Sequence, residues 1–215
     1  MARATTAKRT AATTGSAADF LPERRTLPAL RRAAAGCRGC HLWKVGTQTV
    51  FGEGKRTATV MFVGEQPGDQ EDRAGHPFVG PSGRLLDGAL ERAGLDRRDA
   101  YVTNAVKHFK WVPDPNGKRR IHKTPSTSEV RACHPWLDEE IAVVQPRVIV
   151  ALGKTAATRL LGVEASLASL RGRVHDYHGI PVVVTYHPAY LLRSLAEKAK
   201  AWEDLVFARR TLAAA

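Results

Sequence analysis

Cys37 and Cys40, separated only by Arg38 and Gly39, have the spacing that lets two thiolates approach one metal centre, and Cys133 is the remaining cysteine of the chain. A structural metal usually takes four ligands, so one of the eight histidines becomes a candidate. His41 adjoins the first pair, His134 adjoins Cys133, and His108 opens a basic stretch. Adjacent residues often point apart, which favours His108. A Cys3His set suits zinc, while an iron-sulphur cluster normally prefers thiolates but also accepts imidazole. Two other readings stay open. A CxxC redox pair leaves Cys133 without a role, and three buried apolar cysteines need no metal at all.

Other segments carry different chemistry. The loop GEQPGDQED at 64–72 gathers carboxylates and main-chain donors in a short polar stretch. The run GKRRIHK at 117–123 sets His122 among Lys118, Arg119, Arg120 and Lys123, cations able to hold phosphates, with Gly117 giving the loop latitude. On composition alone His122 is a phosphate contact or a solvent-facing residue. Asn104 has an amide that donates and accepts at once, yet alone it reads as a strand-end residue. Phe78 alone reads as core, and His187 as a buried structural histidine. There is no GxxxxGK[ST] phosphate loop.

These residues need a scaffold. Leu27 to Ala35 predicts a short helix ending at Gly36, just before the paired cysteines. Thr59 to Val63 predicts a buried strand followed by the glycine- and proline-rich loop 64–83. Leu85, Leu86, Ala89, Leu90 and Ala93 have helical spacing with Gly94 as a stop. Tyr101 to Val106 fits the next strand and leads into the basic excursion 107–126. Ser126 and Glu129 form a potential capping box for a helix carrying Val130, Cys133, Leu137 and Ile141. Arg147 to Leu152 and Val182 to Tyr186 read as further strands, with a helix from Lys154 between them. Leu195 to Arg210 predicts a closing helix. This alternation implies an α/β fold with a mainly parallel sheet covered on both faces, and a site at the carboxyl ends of its strands.

The 215 residues accommodate one substantial domain, expected over 27–215, with 1–26 expected to be a disordered basic tail. Thirty-three Lys and Arg against 21 Asp and Glu leave a net charge of +12, a field that attracts phosphate backbones. The chain has no 18-residue apolar span and its start has no apolar signal core, which predicts a cytoplasmic protein, nucleoid-associated when on DNA.

GEQPGDQED, TNAVKHFKW at 103–111, KRRIHK at 118–123 and HPAYLLR at 187–193 occur in one order together with Cys37, Cys40 and Cys133. In that conjunction the chain resembles the iron-sulphur uracil-DNA glycosylases, family 4 in particular and most closely their UdgX branch, from Cys37 to Trp202. The resemblance implies a three-layer α/β/α sandwich. It also implies a structural [4Fe-4S] cluster on Cys37, Cys40, Cys133 and His108, the last standing where ordinary family 4 members have cysteine. Glu65, Gln66 and Asp69 then correspond to the catalytic and uracil-recognition loop. Phe78 looks like the platform beneath a flipped base, Asn104 like the reader of the uracil edge, and His187 like the contact to the departing uracil's carbonyl. Arg193 resembles a phosphate-positioning residue. In UdgX-like proteins the histidine resembling His122 becomes joined to the sugar C1′, which implies single-turnover capture of uracil-containing, single-stranded DNA. The alternatives are a multiple-turnover family 4 glycosylase, with free uracil as product, and a non-catalytic DNA-binding protein.

Overall fold

In the computed structural model, which describes residues 15–215, eight strands and eight α-helices form one layered domain. The strands are β1 (Glu53–Gly54), β2 (Val60–Gly64), β3 (Ala100–Asn104), β4 (Trp111–Pro113), β5 (Arg120–His122), β6 (Val148–Leu152), β7 (Val174–Tyr177) and β8 (Ile180–Thr185). The helices are α1 (Leu27–Ala34), α2 (Asp69–Ala74), α3 (Pro81–Ala93), α4 (Thr127–Val144), α5 (Lys154–Leu161), α6 (Leu167–Leu170), α7 (Pro188–Leu191) and α8 (Lys198–Ala214). None is long and apolar enough to cross a membrane.

Six strands make one sheet in the order β1-β3-β2-β6-β8-β7, and β4 pairs with β5 as a separate hairpin. The four central strands are parallel, as the unbroken apolar runs VMFV and VIVAL require for strands buried on both faces. Alternation sorts their side chains into two cores. Met61, Val63, Ile149, Ala151, Val182 and Val184 meet Leu137 and Ile141 of α4 and Leu160 of α5. Val60, Phe62, Val102, Val148, Val150 and Val183 meet Leu86 and Leu90 of α3 and Leu205 and Ala208 of α8. This is the expected α/β/α sandwich.

The antiparallel edges β1 and β7 are additions to the expected strands, and they close the sheet on both sides. The tail boundary is corrected. Residues 1–14 lie outside the described residues, but Ser16 caps a 3-10 helix over Ala17–Phe20, and Ala17 is fully buried beside Leu30, Leu42 and Trp136. The strand expected over Tyr101 to Val106 ends at Asn104, because Ala105 and Val106 turn their amides back to Gly64 and Glu65. The capping box of α4 forms as expected, with Ser126 accepting from the Glu129 amide and Glu129 from the Ser126 amide.

Phe78 has a left-handed backbone (φ 57), and its carbonyl lies against Gly83 in the first turn of α3, where a β-carbon would overlap it. Gly88, five residues along the same helix, has open space around it. Gly83→Ala should therefore lower stability by about 1–3 kcal/mol, while Gly88→Ala should raise it by up to about 1 kcal/mol. Urea unfolding midpoints of the two variants check the opposite signs.

Candidate active site

The carboxyl ends of the four parallel strands each deliver one component. Glu65 follows β2, Asn104 ends β3, Thr155 lies in the first turn of α5 just after β6, and His187 follows β8. Gly64 sits opposite Asn104 in the β2–β3 register. A β-carbon on Gly64 would overlap the Asn104 amide and press on the Phe78 ring, so glycine there lets the two side chains meet.

Between these ends lies a small cleft of about 80 Å³ lined by Gln66, Gly68, Glu71, Phe78, Asn104 and His187, with His122 at its rim. A volume of this size admits several water molecules, the scale of one planar ring. The Phe78 ring lies 6.4 Å from that of His187, at 29° to it. Asn104 is buried, and its Oδ1 has no hydrogen-bond partner, so the cleft contains an acceptor ready for an N–H. His187 Nδ1 accepts from the Ala189 amide at 3.1 Å as the N-cap of α7, which leaves the proton on Nε2. Burial, with the neighbouring charges of His122 and Arg193, pushes His187 down to about 4, so it is a neutral donor at neutral pH. An acceptor and a donor thus face one ring-sized space.

His122 reaches the rim on β5. Its Nε2 stands 3.5 Å from Glu65 Oε1, and the other Glu65 oxygen accepts from the Thr155 hydroxyl. Burial and the nearby Arg193 hold the His122 pKa below its ordinary value, against the pull of Glu65. The imidazole is therefore held toward its neutral, lone-pair-bearing form. Its side chain is 48% exposed and Glu65's 19%, so the pair meets solvent, and His122 is the member of it that lines the cleft.

Two expectations need correction. Arg120 does not face outward for phosphate. Its guanidinium bonds Asp69 and Asp72 (Nη1–Oδ2 2.6 Å) and lies over Phe109 and Trp111. Asp69 is consequently held by Arg120 and Arg73 outside the cleft, and Glu71 lines the cleft instead, accepting from the Gly80 amide at 2.7 Å. Gln66 borders the cleft, but its side-chain amide is engaged by the Lys110 amide and the Lys110 and Lys123 carbonyls, tying the base of the hairpin. Lys118, Arg119, Lys123 and Arg193 are exposed, as phosphate contacts require. Glu71 and Thr155 were missed. The only signals for them were the second acidic pair of GEQPGDQED and the polar start of GKT.

Cys37, Cys40 and Cys133 gather in the apolar cluster formed by Leu30, Leu42, Phe51 and Trp136, each close enough to influence another's charge. Burial raises Cys133 to about 12, so without a metal it is a thiol. Among the described residues no group of three or more His, Cys, Asp or Glu converges on a single ion. A cuboidal cluster holds its thiolates farther apart than one ion does, so this donor set, with Cys37 and Cys133 buried and Cys40 half-buried, still fits one. The His108 ring does not turn to the thiols for its hydrogen bond. Thr49 Oγ1 donates to the Ala34 carbonyl and lies 2.9 Å from His108 Nε2, which makes Nε2 the protonated nitrogen and leaves the lone pair on Nδ1.

The sequence profile of the Uracil DNA glycosylase superfamily matches residues 51–206. The chain belongs to this superfamily. It is 38% identical over 187 residues to a type-4 uracil-DNA glycosylase of Pyrobaculum aerophilum, covering 83% of this chain and 91% of that one. It is 40% identical over 160 residues to a type-4 uracil-DNA glycosylase of Thermotoga maritima, covering 74% and 79%. A type-5 uracil-DNA glycosylase of Pyrobaculum aerophilum is 32% identical over 167 residues, covering 69% of each. The superfamily match runs from just before β1 into α8, so it contains every cleft residue named above.

Two outcomes follow from this geometry. Arg120→Met leaves Asp72 buried without its cation and should cost about 3–5 kcal/mol, read as a lower denaturant midpoint. His187 binds its proton near 4 when folded and near about 6.5 when unfolded. The unfolded chain is then the better proton binder between those values, and stability falls as the pH drops from about 6.5 toward about 4. His187→Asn keeps a capping acceptor and cannot titrate. Its unfolding midpoint should decline less steeply than the wild type's over that window; parallel curves would remove His187 as the cause.

Proposed function

We propose that this chain excises uracil from DNA and that His122 then captures the sugar, as in the UdgX-like branch. The observation that carries the reading is the unpartnered Asn104 Oδ1 beside the Nε2–H of neutral His187 over the Phe78 face. Uracil offers an N–H to the first and a carbonyl oxygen to the second. Cytosine offers a lone pair where uracil has that N–H, leaving the buried acceptor unpaired and opposed. A base must leave the stack to enter so small a cleft, and a single strand lowers that cost, so single-stranded DNA is the expected substrate. Lys118, Arg119, Lys123 and Arg193 hold its phosphates.

As the glycosidic bond breaks, the sugar gains positive character and uracil leaves with the C1′–N1 electron pair. The His187 hydrogen bond stabilises that developing anion more than the neutral base, and the anion takes its proton from water. A lone pair of the His122 imidazole forms the new N–C1′ bond, and the proton carried on the ring passes to Glu65, 3.5 Å away. Thr155 fixes the carboxylate for that transfer. The [4Fe-4S] cluster would be held by Cys37, Cys40, Cys133 and His108 Nδ1, and it supplies rigidity rather than bond-making chemistry.

Ordinary turnover is the second reading, with water taking the place of His122. The 38% and 40% identities to proteins named type-4 uracil-DNA glycosylases favour it. Intact-mass analysis after incubation with a uracil-containing single-stranded oligonucleotide separates the two. Capture gives a species with the mass of protein plus oligonucleotide less uracil, whereas repeated uracil release with no such species establishes turnover. His122→Gly should abolish the adduct while free uracil and an abasic site still form, because water enters the vacated space. Annealing the complement should slow the reaction.

A further inference from the structure

A fully buried ion pair lies behind the cleft. Lys107 Nζ meets Glu140 Oε2 at 2.5 Å, with side-chain exposures of 1% and 0%. Every polar position of the pair is filled. The ammonium also donates to Thr103 Oγ1 and to the Asn104 carbonyl, each at 2.7 Å, which uses its three protons. Glu140 further accepts from the Gly52 amide, the Tyr101 hydroxyl and the Thr103 hydroxyl. Such a pair stabilises a fold little compared with apolar replacements of the same size, so its presence calls for another role.

The turn from Asn104 to Lys107 supplies one. A tight turn is ordinarily closed by the amide of its fourth residue donating to the carbonyl of its first. Here the Lys107 amide points to Cys133 Sγ at 3.3 Å, and the Asn104 carbonyl receives the Lys107 ammonium instead. The next amides, of Ala105 and Val106, are committed to Gly64 and Glu65. The side chain of Lys107 thus replaces its own main chain in closing the turn that carries Asn104. Glu140, two turns along α4 from Cys133, anchors that ammonium to the helix.

We propose that Lys107 and Glu140 are positioning residues for the pyrimidine cleft: the anchored ammonium closes the Asn104 turn and fixes the direction in which Asn104 presents its free Oδ1. The inference rests on the excision reading above. It also makes α4 a common support for the Cys133 thiol and the base-facing amide, through the main chain and side chain of one lysine.

The test compares the wild type with Lys107→Met/Glu140→Leu, which removes both charges together and leaves no buried ion unpaired, and with Glu140→Gln, which only loosens the anchor. Thermal midpoint and iron content establish that each variant is folded and loaded. Uracil release is then followed under single-turnover conditions as the oligonucleotide concentration is raised. The expected result is a double variant with near-wild-type midpoint and iron whose rate at saturation falls about tenfold to a hundredfold, with the half-saturating concentration changed less than about twofold. Glu140→Gln should fall in the same direction by less, and it carries the comparison if the double variant does not fold. Folded, iron-loaded variants that release uracil at the wild-type rate overturn the positioning role. So does a loss confined to half-saturation. A wild-type protein that releases no uracil overturns the excision reading itself.

Discussion

Asp69 and Asp72 lie within one turn of α2, beside Glu71, and three carboxylates so close repel one another unless a cation is supplied. Arg120 supplies it from fifty residues away. Its planar guanidinium engages both aspartates while its face lies over Phe109 and Trp111, a geometry that a lysine point charge would not reproduce. With that contact the hairpin of β4 and β5 is held against the end of the parallel sheet, and His122 comes to Glu65. Gln66 fastens the base of the same hairpin through its amide. The cleft rim is thus assembled by polar contacts between two irregular segments, while the cleft floor is assembled by strand register.

Those two modes of construction explain why the site tolerates so much buried polarity. Glu140, Lys107 and Asp72 are all nearly inaccessible, and each would destabilise the fold severely if left alone. Each instead has several partners, and together they tie irregular segments to the scaffold: α4 to the turn after β3, and α2 to the hairpin. The apolar clusters hold the sheet to its helices. The ionic clusters determine where the loops leave it.

What was legible in the sequence follows the same division. β2 and β6 were readable because strands buried on both faces leave unbroken apolar runs, and α4 because its capping box is local. Asn104, Phe78 and His187 were singled out by motif resemblance and line one cleft, and the register of β2 against β3 gives the first two a shared glycine neighbour. By contrast α2, six residues long and rich in charge, carries no apolar period, and β4 and β5 are three residues each. Arg120 and Asp69 were misread, and the tie of the Gln66 side chain to the hairpin went unseen, for one reason. A charged or amide side chain in a basic or acidic run looks solvent-facing or ligand-facing until its distant partner is known. Residues 15–26 were assigned to the tail on composition, yet one buried alanine and a direct backbone approach to Gly39 hold them to the domain.

The Arg120 clamp also decides which residue of the basic run faces the cleft. Side chains alternate along a strand, so in β5 Arg120 and His122 share one face while Ile121 takes the other, 40% exposed. Phe109 lies under that shared face, 5.2 Å from the Arg120 guanidinium carbon and 6.0 Å from the His122 ring centroid. Once Arg120 is drawn in by Asp69 and Asp72, His122 is necessarily drawn in two residues later, while Arg119 and Lys123 stay outside. A slip of one residue would bring Ile121 to Glu65 and turn the clamp to solvent. The +12 net charge therefore acts through the remaining cations, and the buried arginine contributes by setting the register that turns an exposed basic run into a site with an imidazole at its edge.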